Sequence, residues 1–337
     1  MQRASDSIGM RTYTSAILYA AILSIVVCGR WRVWGQEAHN DCLHPRVTFA
    51  AIDKSDRKIE KIKTDLRAAE LKVEVAGHRA KLLELTFIHP LNRVVLVLDK
   101  SASMGPGDDV VNKWPWVESA AAEFASRFPA GHAAGMVLFS DDIERRVSLD
   151  EPRTALMREA RDLTSLKPSG HTRLWDALDG ALAMFGTPQV GDAIILASDG
   201  GDNRSSISLS KIKQKLVDSG VRVFVVLLPA MHPTTAEESS GLVDLVELAH
   251  ETGGYPLTIK KPQSDERGEV AVDRGVDFMM GQSTQFYLAE LEISPPPPTG
   301  RTHIRLEVAG PAAKHRSLDL LYPSTLPFCT ASSPPSH

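Results

Sequence analysis

Apolar residues arrive along this chain in short, nearly unbroken runs, each followed by a stretch with helical spacing. VVLVL (94–98), GMVLFS (135–140), DAIILAS (192–198) and VRVFVVLL (221–228) read as strands buried on both faces of a parallel sheet. Between them the spacing predicts helices from near Trp114 to Phe128 and across 151–164, 173–185 and 207–219. A last helix over 240–252 stops at Gly253-Gly254, as a helix C-cap should, before YPLTI. RRVSL (145–149) alternates and reads as an edge strand. Strands alternating with helices at this interval predict an α/β fold with a doubly wound, mostly parallel sheet.

Outside residues 91–262 the period shortens to two. VTFAAI (47–52), LKVEV (71–75) and RAKLLELTF (79–87) precede the α/β stretch; QFYLAELEI (285–293) and THIRLEV (302–308) follow it. The last two flank a loop of four consecutive prolines. Ile304, Leu306 and Val308 alternate with His303, Arg305 and Glu307, as in a half-exposed hairpin strand. KIEKIKTDLRAAE (58–70) is compatible with a helix or a looping strand, and the seven Lys and Arg from Lys54 to Lys72 read as a solvated face. The polar KKPQSDERGE (260–269) leads into a short helix. The expected organisation is a β-rich segment at 41–90, an α/β domain at 91–262, a β-hairpin segment at 280–323 and a tail at 324–337. The two β segments are expected to pack together as a smaller, β-sandwich-like module.

The first 35 residues have the pattern of a signal peptide. Arg3 and Arg11 precede 18 uncharged residues, Thr12–Gly29, and Val33-Trp34-Gly35 offers a cleavage site before Gln36. Arg30 and Arg32 flank the apolar run, so a retained N-terminal anchor is the other reading. Both place the body outside the cytoplasm, secreted or periplasmic. Bulky Val27 before Cys28 argues against a lipoprotein signal. Cys42 and Cys329 then stand near the two ends of the mature chain, as a disulfide or as two separate thiols, and their separation does not suit a zinc site.

A length of 337 residues with 43% hydrophobic and 24% charged residues suits about two globular domains. An aromatic content of 6%, a formal charge of −4 and no dense basic run argue against a nucleic-acid partner.

In open α/β sheets ligands bind at the carboxyl ends of the strands, where the strand order reverses. The residues there are Asp99, Ser101 and Ser103 after the first core strand and Asp199 after DAIILAS. Between them Thr172 opens a helix in KPSGHTRLWDAL. Two carboxylates and three hydroxyls, with no sulfur or imidazole, form a hard oxygen set suited to Mg²⁺ or Mn²⁺. Asp202 and Asn203 read as turn residues. Asp176 reads equally as a hydrogen-bonding brace for the Thr172 loop or as a solvent-facing carboxylate. His171 is the one histidine beside this group, and His250 reads as helix surface.

Here the chain resembles the von Willebrand factor type A (VWA) domain. DKSAS matches the D-x-S-x-S of that family's metal-ion-dependent adhesion site, with the threonine and aspartate following in order, over roughly residues 92–260. The resemblance implies that Ser101, Ser103 and Thr172 ligate the ion, while Asp99 and Asp199 act through bound waters and hydrogen bonds. A partner's Glu or Asp completes the shell. It further implies a non-enzymatic binding or adhesion protein, similar to exported bacterial proteins in which β segments flank the A domain.

Two alternatives stand beside this one. An aspartate-nucleophile, Mg²⁺-dependent phosphohydrolase would also place Asp99 after the first strand. It needs a second acid two residues on, where this chain has Ser101. The other alternative is a metal-free structural interaction module, with Trp114 and Trp116 either rimming a binding face or anchoring the core. Gly105-Pro106-Gly107 lacks the third glycine of a dinucleotide fingerprint, and Gly186 to Gly191 lacks the Lys and Ser or Thr of a phosphate loop.

Overall fold

The computed structural model describes residues 44–54, 61–106, 112–228, 236–259, 265–294, 300–309 and 318–328. The expected signal segment, Cys42 and Cys329 lie outside them.

The chain opens with β1 (Arg46–Asp53), β2 (Lys61–Ile62), β3 (Leu71–Val75) and β4 (His78–Ile88). The α/β part follows as β5 (Arg93–Asp99), α1 (Trp114–Arg127), β6 (Ala133–Phe139), β7 (Ile143–Val147), α2 (Arg153–Asp162) and α3 (Leu174–Ala183). It continues as β8 (Ala193–Ser198), α4 (Leu209–Ser219), β9 (Arg222–Leu227), α5 (Ala236–Glu251), β10 (Pro256–Thr258) and α6 (Asp265–Thr284). Four further strands close it: β11 (Phe286–Glu292), β12 (Gly300–Val308), β13 (Leu318–Leu321) and β14 (Thr325–Phe328).

The α/β sheet has the order β10-β9-β8-β5-β6-β7. β5 lies at its centre, parallel to both β6 and β8, and only β7 runs antiparallel, at the edge. Because β6 and β8 leave β5 in opposite directions, the strand order reverses at its carboxyl end. Strand side chains alternate between faces, so the two halves of one apolar run feed two cores. Val94, Leu96 and Leu98 pack with α1, α2 and α6; Val95 and Val97 pack with α3, α4 and α5. This is the expected doubly wound fold.

The second sheet is antiparallel, with β1, β3 and β4 from before the α/β part and β11 to β14 from after it. Its order is β13-β1-β11-β4-β3-β12-β14, with β2 on β1. Val47, Phe49, Val73, Val75, Tyr287, Ala289, Ile304 and Leu306 form its core, and the Phe49 and Tyr287 rings stack at 5.1 Å. β3 and β4 are joined by the two-residue turn Ala76-Gly77, both at positive φ (53° and 78°), with Val75 paired to His78. That geometry matches the twist of a tight hairpin.

Three expectations change. The strands around the proline loop do not form a hairpin with each other, because the β3–β4 hairpin is wedged between them: β11 pairs β4 and β12 pairs β3. The helix after the polar stretch is 20 residues long, and its Val272, Val276, Met279 and Met280 belong to the α/β core. The α/β unit therefore extends past residue 262 to the end of α6. Within the expected tail, Thr325–Phe328 is a strand paired with β12, with Leu326 in the core.

Arg222 fastens α6 where it hands over to β11. Its guanidinium is buried, donates to the carbonyls of Gln282 and Ser283 at 3.1 and 2.9 Å, and stacks 4.3 Å from the Phe286 ring. Burial lowers its pKa to about 9. A cation at a helix C-terminus also complements the helix dipole. β4 leaves the antiparallel sheet at Ile88 and the chain returns at Phe286, and those two residues are paired.

Candidate metal centre

β5 ends on Asp99, which is fully buried. The adjacent strand β8 ends on Ser198, and its hydroxyl donates to Asp99 Oδ2 at 2.7 Å. The backbone N–H of Ser101 donates to Asp99 Oδ1 at 2.8 Å. With both oxygens engaged, this carboxylate organises the loop that follows. Ser101 and Ser103 come out of that loop with their hydroxyls 3.1 Å apart. Burial first, and then the neighbouring charge of Asp199, push Asp99 up to about 7. Two acids held this close out of water favour a cation between them.

Asp199 follows β8 directly. Lys113, the residue before α1, places its ammonium 2.6 Å from Asp199 Oδ2, with the two side chains 1% and 2% exposed. The other oxygen, Asp199 Oδ1, is buried and has no hydrogen-bond partner among the described residues. An orphaned carboxylate oxygen is costly in a protein interior.

Thr172 is 4% exposed on the loop entering α3. Its backbone N–H donates to Asn203 Oδ1 at 3.0 Å, and its carbonyl accepts from the N–H groups of Asn203 and Arg204. Asp202 accepts from the Leu174 N–H at 2.9 Å, serving the first turn of α3. Asp202 and Asn203 clamp the Thr172 loop to the Asp199 loop through these bonds. The other side of the Thr172 loop is tied to the β5 loop: Ala102 N–H donates to Gly170 O at 3.1 Å and Ser169 N–H to Lys100 O at 2.9 Å. The three loops bearing the five candidate residues are thus bonded to one another at the strand ends.

The neighbours sort themselves. Asp176 braces the loop, accepting from Ser206 and Ile207 N–H and pairing with Arg173. Trp114 and Trp116 are buried in the core and rim nothing. His171 is exposed, and its backbone N–H donates to Asp141. His250 is exposed on α5.

The donor set fits a small divalent cation. It supplies oxygen only, two buried carboxylates and an adjacent hydroxyl pair, and it leaves one carboxylate oxygen unsatisfied. Among the described residues no three His, Cys, Asp or Glu side chains gather as for a metal.

Residues 94–201 match the family model of the von Willebrand factor type A domain. The chain carries a VWA domain. Similar solved structures include BatB from Bacteroides thetaiotaomicron, 17% identical, covering 56% of this chain and 98% of that one at a TM-score of 0.39. A von Willebrand factor type A protein from Catenulispora acidiphila is 14% identical over 77% of this chain and 73% of that one, with a TM-score of 0.46. The pilus adhesin SpaC from Lactobacillus rhamnosus GG, in its open conformation, is 11% identical over 76% of this chain and 47% of that one, with a TM-score of 0.42. No curated protein matches the chain.

Two residues at the VWA strand ends escape a reading of the sequence. Ser198 looks like the end of an apolar strand, and its position before Asp199 is its only signal. Lys113 lies 86 residues from Asp199, among residues that give no hint of an ion pair.

Proposed function

We propose that this is an exported, non-enzymatic binding protein whose VWA domain uses Mg²⁺ or Mn²⁺ to capture a Glu or Asp carboxylate of a protein partner. The observation that carries the reading is the pair of buried acids at the switch point, one of which, Asp199, keeps an orphaned carboxylate oxygen. Ser101, Ser103 and Thr172 would hold the ion, with Asp99 and Asp199 acting through water and hydrogen bonds. The ion would supply an electrophile for an outside anionic oxygen, and neutral hydroxyl donors leave its charge largely uncancelled. The basic start and apolar run of residues 3–29 support export. No helix among the described residues is long and apolar enough to cross a membrane.

Phosphoryl transfer through Asp99 is disfavoured because both its oxygens already accept hydrogen bonds and the side chain is fully buried. The position two residues on carries Ser101, which cannot act as the general acid.

Titration calorimetry with Mg²⁺ and Mn²⁺ tests the reading. The expected result is saturable binding by the wild type, weakened at least about tenfold in Asp99→Ala and in Thr172→Ala. Unchanged binding in both variants would remove the site assignment. Metal-dependent turnover of a phosphate ester, lost in Asp99→Ala, would make the protein an enzyme instead.

A further inference from the structure

The least expected group in the centre is a lysine. Lys113 stands at the N-cap of α1, where its side chain makes no capping bond and its charge opposes the positive end of the helix dipole. Local preference therefore does not explain it. Its backbone is fixed from both sides: its N–H donates to Met104 O at 3.0 Å, and its carbonyl accepts from the Trp116 and Val117 N–H groups. From that anchor the side chain runs inward, and the ammonium contacts Asp199 Oδ2 at 2.6 Å with 1% of the side chain exposed. A buried ammonium needs a counter-charge, and this one has taken half of a proposed metal-associated carboxylate.

We infer that Lys113 is a tethered cation that competes with the divalent ion for the VWA centre and sets how tightly the ion is held. The inference rests on the metal reading above. With Asp99 and Asp199 ionised, a divalent cation entering beside Lys113 meets one net negative charge instead of two. It is then bound less tightly, but less of its own charge is cancelled. The same lysine that loosens the ion's hold on the protein leaves the ion a stronger attractant for a partner's carboxylate. In Lys113→Met the entering ion meets both charges and an Asp199 with two unpaired oxygens.

Calorimetry and thermal melts of the wild type, Lys113→Met and Lys113→Gln, each with Mg²⁺ and with EDTA, decide the matter. Lys113→Gln keeps a donor that reaches toward Asp199, so it stays informative if Lys113→Met fails to fold. The expected result is Mg²⁺ affinity at least about tenfold tighter in the variants, the scale of a change in one nearby charge. The variants should also melt lower than wild type in EDTA and gain more from Mg²⁺. Binding seen only in the variants would be the strongest form of the same result. Equal or weaker binding in the variants, with an equal melting loss with and without Mg²⁺, would make Lys113 a structural ion pair and overturn the inference while leaving the metal site standing. No binding by any of the folded proteins would overturn the metal reading and this inference with it.

Discussion

Asp176 accepts N–H groups from Ser206 at 3.1 and 2.9 Å and from Ile207 at 3.0 Å, while Arg173 flanks it. Burial works against its charged form, yet the two amides and the guanidinium outweigh burial and hold the carboxyl below its ordinary 3.8. A depressed carboxylate contributes stability above its unfolded pKa and loses it as pH falls through the folded value. Asp176→Asn is therefore expected to lower stability by about 1–2 kcal/mol at pH 7. The deficit should shrink as pH drops below 3.8, which melts of both proteins across that range would show. Sequence spacing brought Asp99, Ser101, Ser103, Thr172 and Asp199 forward because each follows an apolar strand or opens a helix. It gave no access to Lys113 and Ser198, whose importance comes from partners 86 and 99 residues away.

At the scale of elements, α5 is placed by a glycine. Gly241 lies in its first half, where a glycine costs about 1 kcal/mol against alanine. The reason is Gly200 in the loop that carries Asp199: a Cβ on Gly241 would lie 1.7 Å from Gly200 O and 2.3 Å from its carbonyl carbon. Gly200 itself has φ +96°, a conformation that L side chains rarely adopt. Gly241→Ala should cost about 2–4 kcal/mol, since neither backbone can yield without shifting helix or loop. Weaker Mg²⁺ binding should accompany that loss; a melting curve and an affinity both equal to wild type would refute the contact. Helices and buried strands were legible because their apolar periods are strong. Strand partners were not, because a period of two says which face is buried and nothing about which strand lies alongside. The β11–β12 hairpin expectation failed on that point, and α6 was underestimated because its first turn is polar.

For the whole molecule, the pairing of Ile88 with Phe286 has a practical meaning. The chain leaves one sheet, builds an entire α/β head of residues 89–285, and returns opposite the residue it left, on the neighbouring strand. The two attachment points are one strand spacing apart, about 5 Å. A head joined at two adjacent points is a cassette. Replacing residues 89–285 with Asn-Gly would turn β4 and β11 into an ordinary hairpin and leave the antiparallel core contiguous. The trimmed chain would lose its contacts to the head, among them Ser324 with Glu251, Arg301 with Asp218 and the Arg222 guanidinium stacked on Phe286. It should give a β-type circular dichroism spectrum and a cooperative melt, whereas a featureless melt would mean that the stalk needs the head as a template. Close-set ends also let the head be exchanged: a foreign domain whose termini lie as near together could be mounted on the same two strands, carrying a different recognition surface on an unchanged stalk.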